Sequence, residues 1–279
     1  MFKGLDRLIF TLRAPFPLLI CAALLLGIAA GSLKKRLLTV SGAVAAVLLG
    51  MVILYSLHFG GLFLLFAFFI GGSLIGRLRE RLQGKDRAFA EKKGGTRDAV
   101  QVLANGLMAG IAALIYALGG GMAALIAFGA AIAEANSDTF AGELGRLSKT
   151  PPISVRTGKV VPKGVSGGVT VAGTLAGLGA SLLIALLWLL CFDCDRPLLC
   201  ALIITLCGFV GCVADSVLGA TVQALYRDER TGALSEHPTA KDGTPLTLVQ
   251  GVRWIDNDAV NLLSNLIAAL LGMAIGSFV

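Results

Sequence analysis

The forty residues from Leu37 to Gly76 read LLTVSGAVAAVLLGMVILYSLHFGGLFLLFAFFIGGSLIG and contain no Asp, Glu, Lys or Arg. A membrane-spanning helix needs about 20 apolar residues, so this stretch is long enough for two helices that break near His58–Gly61. Its pattern is helical rather than alternating, and backbone groups in hydrocarbon must find partners within their own structure. The stretch therefore predicts membrane helices and excludes a soluble domain.

The rest of the chain continues this pattern. Hydrophobic residues make up 56% of the 279 residues and charged residues only 15%, against about 25% charged in a soluble protein. The charge-free stretch Ala99–Ala133 also has room for two helices, with a break at Gly119–Gly121. We expect one integral-membrane domain, residues 1–279, folded as an all-α bundle of about eight transmembrane spans. The expected spans are 14–33, 37–57, 59–76, 98–118, 121–141, 166–191, 197–226 and 258–279.

The Lys and Arg residues lie almost entirely on one side of this bundle. With eight spans, 20 of the 24 basic residues fall in loops on one side. Cytoplasmic loops are enriched in Lys and Arg, so we expect the basic side to be cytosolic and both termini to lie outside. In a prokaryotic host the membrane is the cell membrane. The expected surroundings are therefore a lipid bilayer, and we expect no nucleic-acid partner.

Polar side chains within the spans cluster at the predicted cytosolic ends of four helices. Residues four positions apart share a helix face, and ionisable groups inside a membrane are costly and usually mark a functional site. One shared pocket is therefore expected, although Asn and Gln also serve simply to join helices. The clustered residues are Arg97, Gln101, Asn105, Glu134, Asn136, Asp138, Glu143, Asp215, Gln223, Asn257, Asn261 and Asn265.

The loop between the fifth and sixth spans has a composition suited to phosphate binding. Glycine lets backbone N–H groups approach phosphate oxygens, and Lys supplies the opposite charge. Gly167 and Gly168 are expected to open the sixth helix, where the helix dipole favours an anion. The spacing does not match the GxxxxGK[ST] pattern of soluble nucleotide-binding folds. The candidate phosphate-binding residues here are Lys159, Lys163, Gly164, Ser166, Gly167 and Gly168.

Acidic residues beside a Lys/Gly loop are the groups that phosphoryl transfer requires. Carboxylates hold Mg²⁺, which bridges phosphate oxygens, while Lys, Arg and backbone amides neutralise the charge that develops. We therefore expect Mg²⁺-dependent transfer between a cytosolic nucleoside triphosphate and an isoprenoid lipid. The expected catalytic residues are Asp138, Lys163 and Asp215, and the expected metal ligands are Glu134, Asp138, Glu143 and Asp215. Arg97 and the residues of the loop are expected to bind phosphate. The expected substrate-binding residues are Gln101, Asn105, Asn136, Gln223, Asn257 and Asn261.

The same residues carry a resemblance to a known family. NSDTFAGELG at Asn136–Gly145 and PKGVSGG at Pro162–Gly168 resemble motifs of the phytyl-phosphate kinase family of integral membrane proteins. Arg97–Gly106, Asp215–Gln223 and Asn257–Ser264 match its other motifs, so the resemblance extends over about residues 10–279. It implies a kinase that phosphorylates a phytyl-like polyprenyl phosphate and prefers CTP as the nucleoside triphosphate.

A transporter or scramblase for a small anion or a polyprenyl-phosphate lipid is the alternative interpretation. Such a protein needs polar residues near the middle of the membrane and in its outer half. The outer halves of the predicted helices carry almost none. This distribution favours an enzyme at the membrane interface.

Overall fold

The computed structural model describes residues 1–13, 15–83, 96–240 and 242–279. Six helical stretches in this part of the chain are long and apolar enough to cross a membrane. A five-residue π-helix, Tyr116–Gly120, joins two of the helices. The α-helices are α1 Lys3–Phe10, α2 Phe16–Lys34, α3 Val40–Gln83, α4 Ala99–Ile115, α5 Gly121–Leu147, α6 Val171–Cys191, α7 Pro197–Thr221 and α8 Asn257–Gly276.

The long helix α3 folds back on itself at His58. The backbone of His58 is non-helical, with φ 54° and ψ −153°. A Cβ placed on Gly42 would lie 2.3 Å from the carbonyl oxygen of Arg97, and one placed on Gly72 would lie 2.8 Å from the guanidinium of the same Arg97. A straight helix would separate residues 42 and 72 by about 45 Å. The two arms of α3 therefore run antiparallel, and each has the length of a membrane span.

A second helical hairpin connects α4 to α5. Gly119 and Gly121 have φ angles of 100° and 58°, and glycine adopts such conformations without the steric cost that other residues meet. Both predicted breaks, near His58–Gly61 and at Gly119–Gly121, are confirmed. Each of the two hairpins consists of two arms, and each arm counts as one segment. The helices in the described ranges then give about eight segments of membrane length, as the sequence predicts.

Each of these segments connects the same two ends of the bundle. The N-terminal amine of Met1 donates to the carbonyl of Leu190, near the end of α6. A Cβ on Gly276, near the end of the chain, would lie 3.1 Å from the Cα of Ala123. Both termini therefore lie at one end. We call the other end, which holds the N-termini of α4, α6 and α8, the polar end.

The predicted basic loops follow α2, α3, α5 and α7, whose C-terminal ends lie at the polar end. This arrangement agrees with the alternation of loops that the sequence predicts. Some of the counted basic residues lie outside the described residues: Lys85, Arg87, Lys92, Lys93 and Lys241.

Helix α5 occupies the centre of the bundle, in contact with α3, α4, α6, α7 and α8. Its residues from Ala124 to Ser137 are buried without interruption. The indole of Trp188 in α6 donates to the carbonyl of Leu125 at 3.1 Å. Small residues allow close helix approach: a Cβ on Gly208 of α7 would lie 2.6 Å from the Cβ of Ala133. The polar side chains within this stretch, Glu134, Asn136 and Ser137, are therefore surrounded by other helices.

Two small antiparallel sheets lie in the loops of the polar end. In the first, β1 (Ile153–Ser154) pairs with β2 (Gly168–Val169). In the second, β3 (Leu225–Arg227) lies between β4 (Leu234–Ser235) and β5 (Thr247–Gln250). The hydropathy pattern predicts the all-helical membrane part and gives no indication of these strands.

Two predicted helix boundaries are wrong. The sixth span is predicted from residue 166, but α6 begins at Val171, and the hydroxyl of Thr170 caps it by accepting from the N–H of Gly173 at 3.0 Å. Gly167 and Gly168 therefore do not open the helix. The seventh span is predicted to reach residue 226, but α7 ends at Thr221. Small and apolar residues continue past both helix ends, so hydropathy alone overestimates their length.

Candidate functional site

A cavity of about 390 Å³ lies at the polar end among α5, α6, α7, α8 and the loop that follows α5. Small-molecule sites typically have volumes of about 300–1,000 Å³. Nine of the residues singled out from the sequence line it, which shows that the fold brings distant motifs together. They are Gln101, Asp138, Lys163, Gly164, Ser166, Gly167, Gly168, Asp215 and Asn257.

Asp138 of α5 and Asp215 of α7 form an acid pair in the wall of this cavity. The two side chains are half-buried and interact directly with each other. The hydroxyl of Ser264 lies 3.3 Å from Oδ2 of Asp215. The amide of Asn261, in the orientation that satisfies its neighbours, donates to the same oxygen at 3.0 Å. Two carboxylates so close repel each other unless a proton or a cation lies between them.

Glu134 lies one helical turn before Asp138 and is only 2% exposed. Its Oε1 accepts from the hydroxyl of Ser264 at 2.8 Å, and its Oε2 accepts from the amide of Asn265 at 2.7 Å. Asn265 also donates to the carbonyl of Ala131 at 2.8 Å. Glu134 lies outside the cavity wall. Both of its oxygens are engaged, so it joins α5 to α8 beside the acid pair.

Asp138 and Asp215 are the residues of this cavity that could hold a divalent cation. Among the residues that the structure describes, no group of three or more His, Cys, Asp and Glu side chains is arranged to hold a metal ion. Proteins usually bind Mg²⁺ through one or two carboxylates, with waters and substrate phosphates as the other ligands. Asp138 and Asp215 fit this second arrangement, because they touch each other and both line the cavity.

Glu143 is placed apart from the acid pair. Its carboxylate forms an ion pair with the guanidinium of Arg79 in α3. Glu143 also lies beside Gly76, at 3.8 Å from the position of a Cβ there. It is outside the cavity wall. This residue therefore connects α5 to α3 and does not face the same space as Asp138.

Lys163 lies across the end of α5. Its ammonium donates to the carbonyls of Arg146 and Ser148, at 3.2 Å and 2.6 Å. The last carbonyls of a helix lack partners within the helix, so Lys163 satisfies two of them while it lines the cavity. Lys159, in the same loop, is exposed and outside the cavity wall.

The glycines of this loop bring its backbone against α7. Gly164 and Gly167 have φ angles of 93° and 76°, in the region where side chains other than glycine are strained. A Cβ on Gly167 would lie 2.3 Å from the Cβ of Ala220. Among the described hydrogen bonds, none uses the backbone N–H of Ser166 or Gly167 as donor. Ser166 and Gly167 therefore lie in the cavity wall against α7, the helix that carries Asp215.

Comparison with known proteins gives the family. Residues 23–269 match the family described as integral membrane protein DUF92. The chain belongs to this family.

Three relatives show how far the similarity extends. The uncharacterized membrane protein MJ0933 of Methanocaldococcus jannaschii is 35% identical over 243 residues, which is 87% of each chain. Protein PGR of Arabidopsis thaliana is 33% identical over 274 residues, covering 88% of this chain and 91% of the relative. Protein VTE6, chloroplastic, of the same plant is 24% identical over 247 residues, covering 87% and 66%. No solved structure matches the chain.

The DUF92 chain also places functional candidates that sequence reasoning missed. Glu236, in the loop after α7, lines the cavity. Its Oε1 accepts from the hydroxyl of Ser166 at 2.8 Å and from the amide of Gln223 at 2.9 Å. Arg146 and Asp258 line the same cavity. Arg146 follows one recognised motif directly and Asp258 lies within another, whereas nothing in the sequence around Glu236 indicates its position.

The remaining predicted residues of this DUF92 protein lie around the cavity rather than in its wall. The amide of Asn136 donates to the carbonyl of Ala180 in α6 at 2.9 Å. Gln223 lies after the end of α7, so it does not share a helix face with Asp215 as the sequence predicts. Arg97 and Asn105 line a second, apolar cavity of about 70 Å³ between α2, α3 and α4. Gln101 lines both cavities.

Proposed function

We propose that this DUF92 protein is a kinase that transfers the terminal phosphate of a nucleoside triphosphate, with CTP preferred, to a phytyl-like polyprenyl phosphate. The observation that carries the proposal is the meeting of the acid pair Asp138–Asp215 and the loop Lys163–Gly168 in one cavity. The motif resemblance to phytyl-phosphate kinases supports the lipid substrate. The excess of Lys and Arg in the loops of the polar end supports a cytosolic active face.

The loop provides the groups that bind the nucleotide phosphates. The ammonium of Lys163 has three N–H donors, and two of them are directed at the carbonyls of Arg146 and Ser148. The third is available for a phosphate oxygen. The backbone N–H groups of Ser166 and Gly167 add two donors, in the manner of a backbone nest for anions. Lys163 is thereby held at a fixed position before any nucleotide binds.

The acid pair serves the transferred phosphoryl group. Asp138 and Asp215 would hold Mg²⁺, which neutralises charge on phosphate oxygens when it is bound. Asn261 and Ser264 orient Asp215 through its Oδ2. An oxygen of the lipid phosphate forms a new bond to the terminal phosphorus of the nucleotide, and the bond from that phosphorus to the bridging oxygen breaks. The products are a polyprenyl diphosphate and a nucleoside diphosphate, so the reaction needs no further reactant.

The direct test incubates purified protein in detergent or nanodiscs with Mg²⁺, each terminally labelled nucleoside triphosphate, and a panel of prenols and prenyl phosphates. We expect labelled prenyl diphosphate with CTP as the best donor. Asp138→Asn should abolish labelling, and Lys163→Ala should lower it at nucleotide concentrations below the KM. Lys149→Ala is the matched control, because Lys149 is an exposed Lys in the same loop that lies outside the cavity wall.

The transport alternative is decided by the same panel. If no lipid is labelled with any nucleotide, or if Asp138→Asn and Lys163→Ala both retain full labelling, the kinase assignment fails. Flux of labelled phosphate or prenyl phosphate through reconstituted vesicles would then be the next measurement.

A further inference from the structure

We propose that the apolar cavity between α2, α3 and α4 is the subsite for the acceptor lipid, in which Arg97 binds the phosphate of a single-chain isoprenoid monophosphate. The proposal deepens the proposed function, on which its reaction rests, by giving the lipid a place separate from the nucleotide phosphates.

The shape and lining of this cavity suit one hydrocarbon chain. It has a volume of about 70 Å³ and lies between membrane-length helices. This space has room for only the first few carbons of a single chain. The polar residues in its lining are few, whereas the apolar ones include Leu25, Ala46, Leu62 and Phe66. An apolar lining with few polar groups is typical of a lipid or other small-molecule site.

Arg97 provides a cation at this cavity, and among the residues that the structure describes none gives its guanidinium an anionic partner at hydrogen-bond distance. Its guanidinium lies over the rings of Phe68 and Phe69, at 5.3 Å and 5.6 Å from their centres. In the ranges that the structure covers, the guanidinium is not a donor in any hydrogen bond, and burial lowers its pKa while the charge of Glu143 opposes this effect. A desolvated cation without acceptors is costly. A phosphate would accept two parallel N–H groups from it.

The backbone of Arg97 is held firmly while its side chain stays available. The N–H donates to the carbonyl of Leu37 at 3.0 Å, and the carbonyl accepts from the N–H of Thr39 at 2.9 Å. A Cβ on Gly72 would lie only 2.8 Å from Nη2 of Arg97. Because residue 72 is glycine, there is room for the guanidinium of Arg97 beside α3.

Arg97 also lies next to the proposed reaction site. The Cγ2 of Thr139, the residue after Asp138, would lie 3.1 Å from the same Cβ position on Gly72. Gln101 forms part of the wall of both cavities. A lipid phosphate on Arg97 would therefore reach the nucleotide cavity at Gln101, the residue that the two cavities share, and the two phosphates would meet there.

The test measures equilibrium binding of radiolabelled geranylgeranyl phosphate to purified protein without nucleotide, with geranylgeraniol as the uncharged comparison. Loss of a charged hydrogen-bonding pair typically weakens binding by about tenfold or more. We expect Arg97→Gln to weaken binding of the phosphate by about this factor and to leave binding of the alcohol unchanged. Ala46→Leu, which fills the cavity, should weaken binding of both.

The controls separate the subsite from general damage. Val44 lies on the same arm of α3 but is 55% exposed, so Val44→Leu should bind both lipids as the wild type does. Arg97→Lys keeps the charge and covers the case that Arg97→Gln does not fold. This variant should bind the phosphate with intermediate affinity and still prefer it to the alcohol.

The outcomes distinguish this inference from the kinase assignment. Unchanged phosphate binding by folded Arg97→Gln or Arg97→Lys, or unchanged binding by Ala46→Leu, overturns the subsite even where wild-type protein labels lipids. The expected binding pattern supports the subsite even where no nucleotide labels any lipid, and in that case the kinase assignment alone falls.

Discussion

At the polar end of the bundle, the half-buried Asp138 and Asp215 lie against each other, whereas at the opposite end Lys3 and Asp193 form an ion pair with side chains 75% and 80% exposed. Exposed pairs of this kind contribute little to stability, while buried carboxylates carry a large desolvation penalty. The same helices run from one end of the bundle to the other, so the fold class does not explain why the two charged pairs differ in exposure. In the described part of the chain, the two touching carboxylates lie where several motifs meet in a cavity.

The opposite end uses its few charges to fasten the chain. A carboxylate oxygen of Asp6 in α1 accepts from the N–H of Phe59 at 3.1 Å, directly after the break at His58. The side chain of Phe10 stacks near His58, with ring centres 4.1 Å apart. These contacts hold a hairpin turn and line no described cavity. Charge at this end is thus explained by local structure, whereas the contact between Asp138 and Asp215 is not.

The largest expected effect is on the proposed kinase activity, and it is tested by replacing Asp215 at the polar end and Asp193 at the opposite end. Asp215→Asn should lower the proposed kinase activity by roughly a hundredfold or more, because it removes a carboxylate from the acid pair. Asp193→Asn should leave the activity unchanged. Steady-state labelling of prenyl phosphate measures both. Equal losses in the two variants would show that the contrast between the ends has no bearing on catalysis.

A second comparison, within the polar end, is between the effects of Glu134 and Asp138 on the free energy of unfolding. Glu134→Ala should lower the free energy of unfolding by about 2–3 kcal/mol, because it leaves the buried amide of Asn265 and the hydroxyl of Ser264 without their acceptors. Unfolding in detergent, followed by circular dichroism, measures this loss. Asp138→Asn should be neutral or stabilising in the same assay, because it removes a like charge from the acid pair. A larger loss for Asp138→Asn than for Glu134→Ala would reverse the roles assigned to them.

The two lysines of the loop after α5 provide the next test. Lys163→Ala should raise the KM for the nucleotide by about tenfold, since a charged hydrogen bond is worth about 1.5–3 kcal/mol. Lys159→Ala should change it little, because Lys159 is exposed and outside the cavity wall. Nucleotide titrations at saturating lipid measure both constants. A stronger effect from Lys159 would favour the role that the sequence predicts for it.

Replacing Glu236 should have a smaller effect on the KM for the nucleotide than replacing Lys163. Glu236→Ala removes the acceptor that Ser166 and Gln223 share, and we expect a rise of about two- to fivefold in the KM for the nucleotide, equivalent to one ordinary hydrogen bond. The unfolding midpoint should stay close to the wild-type value. If the KM instead falls, the carboxylate competes with phosphate for these donors and does not position them.

The smallest expected effect is at the opposite end. The hydrogen bond and charge of Lys3 lower the pKa of Asp193, so the stability from this pair is present above the unfolded Asp pKa of about 3.9. It is lost as the pH falls through the lowered folded pKa. Lys3→Ala should leave the unfolding midpoint at pH 7 unchanged within error, because the pair is exposed. A clear drop at pH 7 would show that α1 contributes more to the bundle than its exposed contacts indicate.

The sequence by itself determines the membrane class, the approximate number of spans and the meeting of the motifs at one end. Charge-free stretches of known length, such as Leu37–Gly76, admit only helices in lipid. The breaks near His58 and at Gly119–Gly121 are expected because one membrane span needs only about 20 residues, far fewer than these charge-free stretches contain. Once the spans alternate, polar residues such as Asp138 and Asp215 must fall at the same end, whatever the detailed packing.

Only the tertiary structure decides which polar residues act together. Glu143 pairs with Arg79, Glu134 with Ser264 and Asn265, and Arg97 lies beside a different cavity from Asp138. Helical spacing gives the face that a residue occupies on its own helix. It does not give the rotation of that helix against its neighbours.

The loops depend still more on tertiary contacts. Lys163 and Glu236 line the cavity whereas Lys159 does not, and these positions follow from strand pairs and positive-φ glycines that hydropathy does not encode. The physical reason is that membrane burial depends on the composition of a segment, whereas a site depends on distances between side chains far apart in the chain.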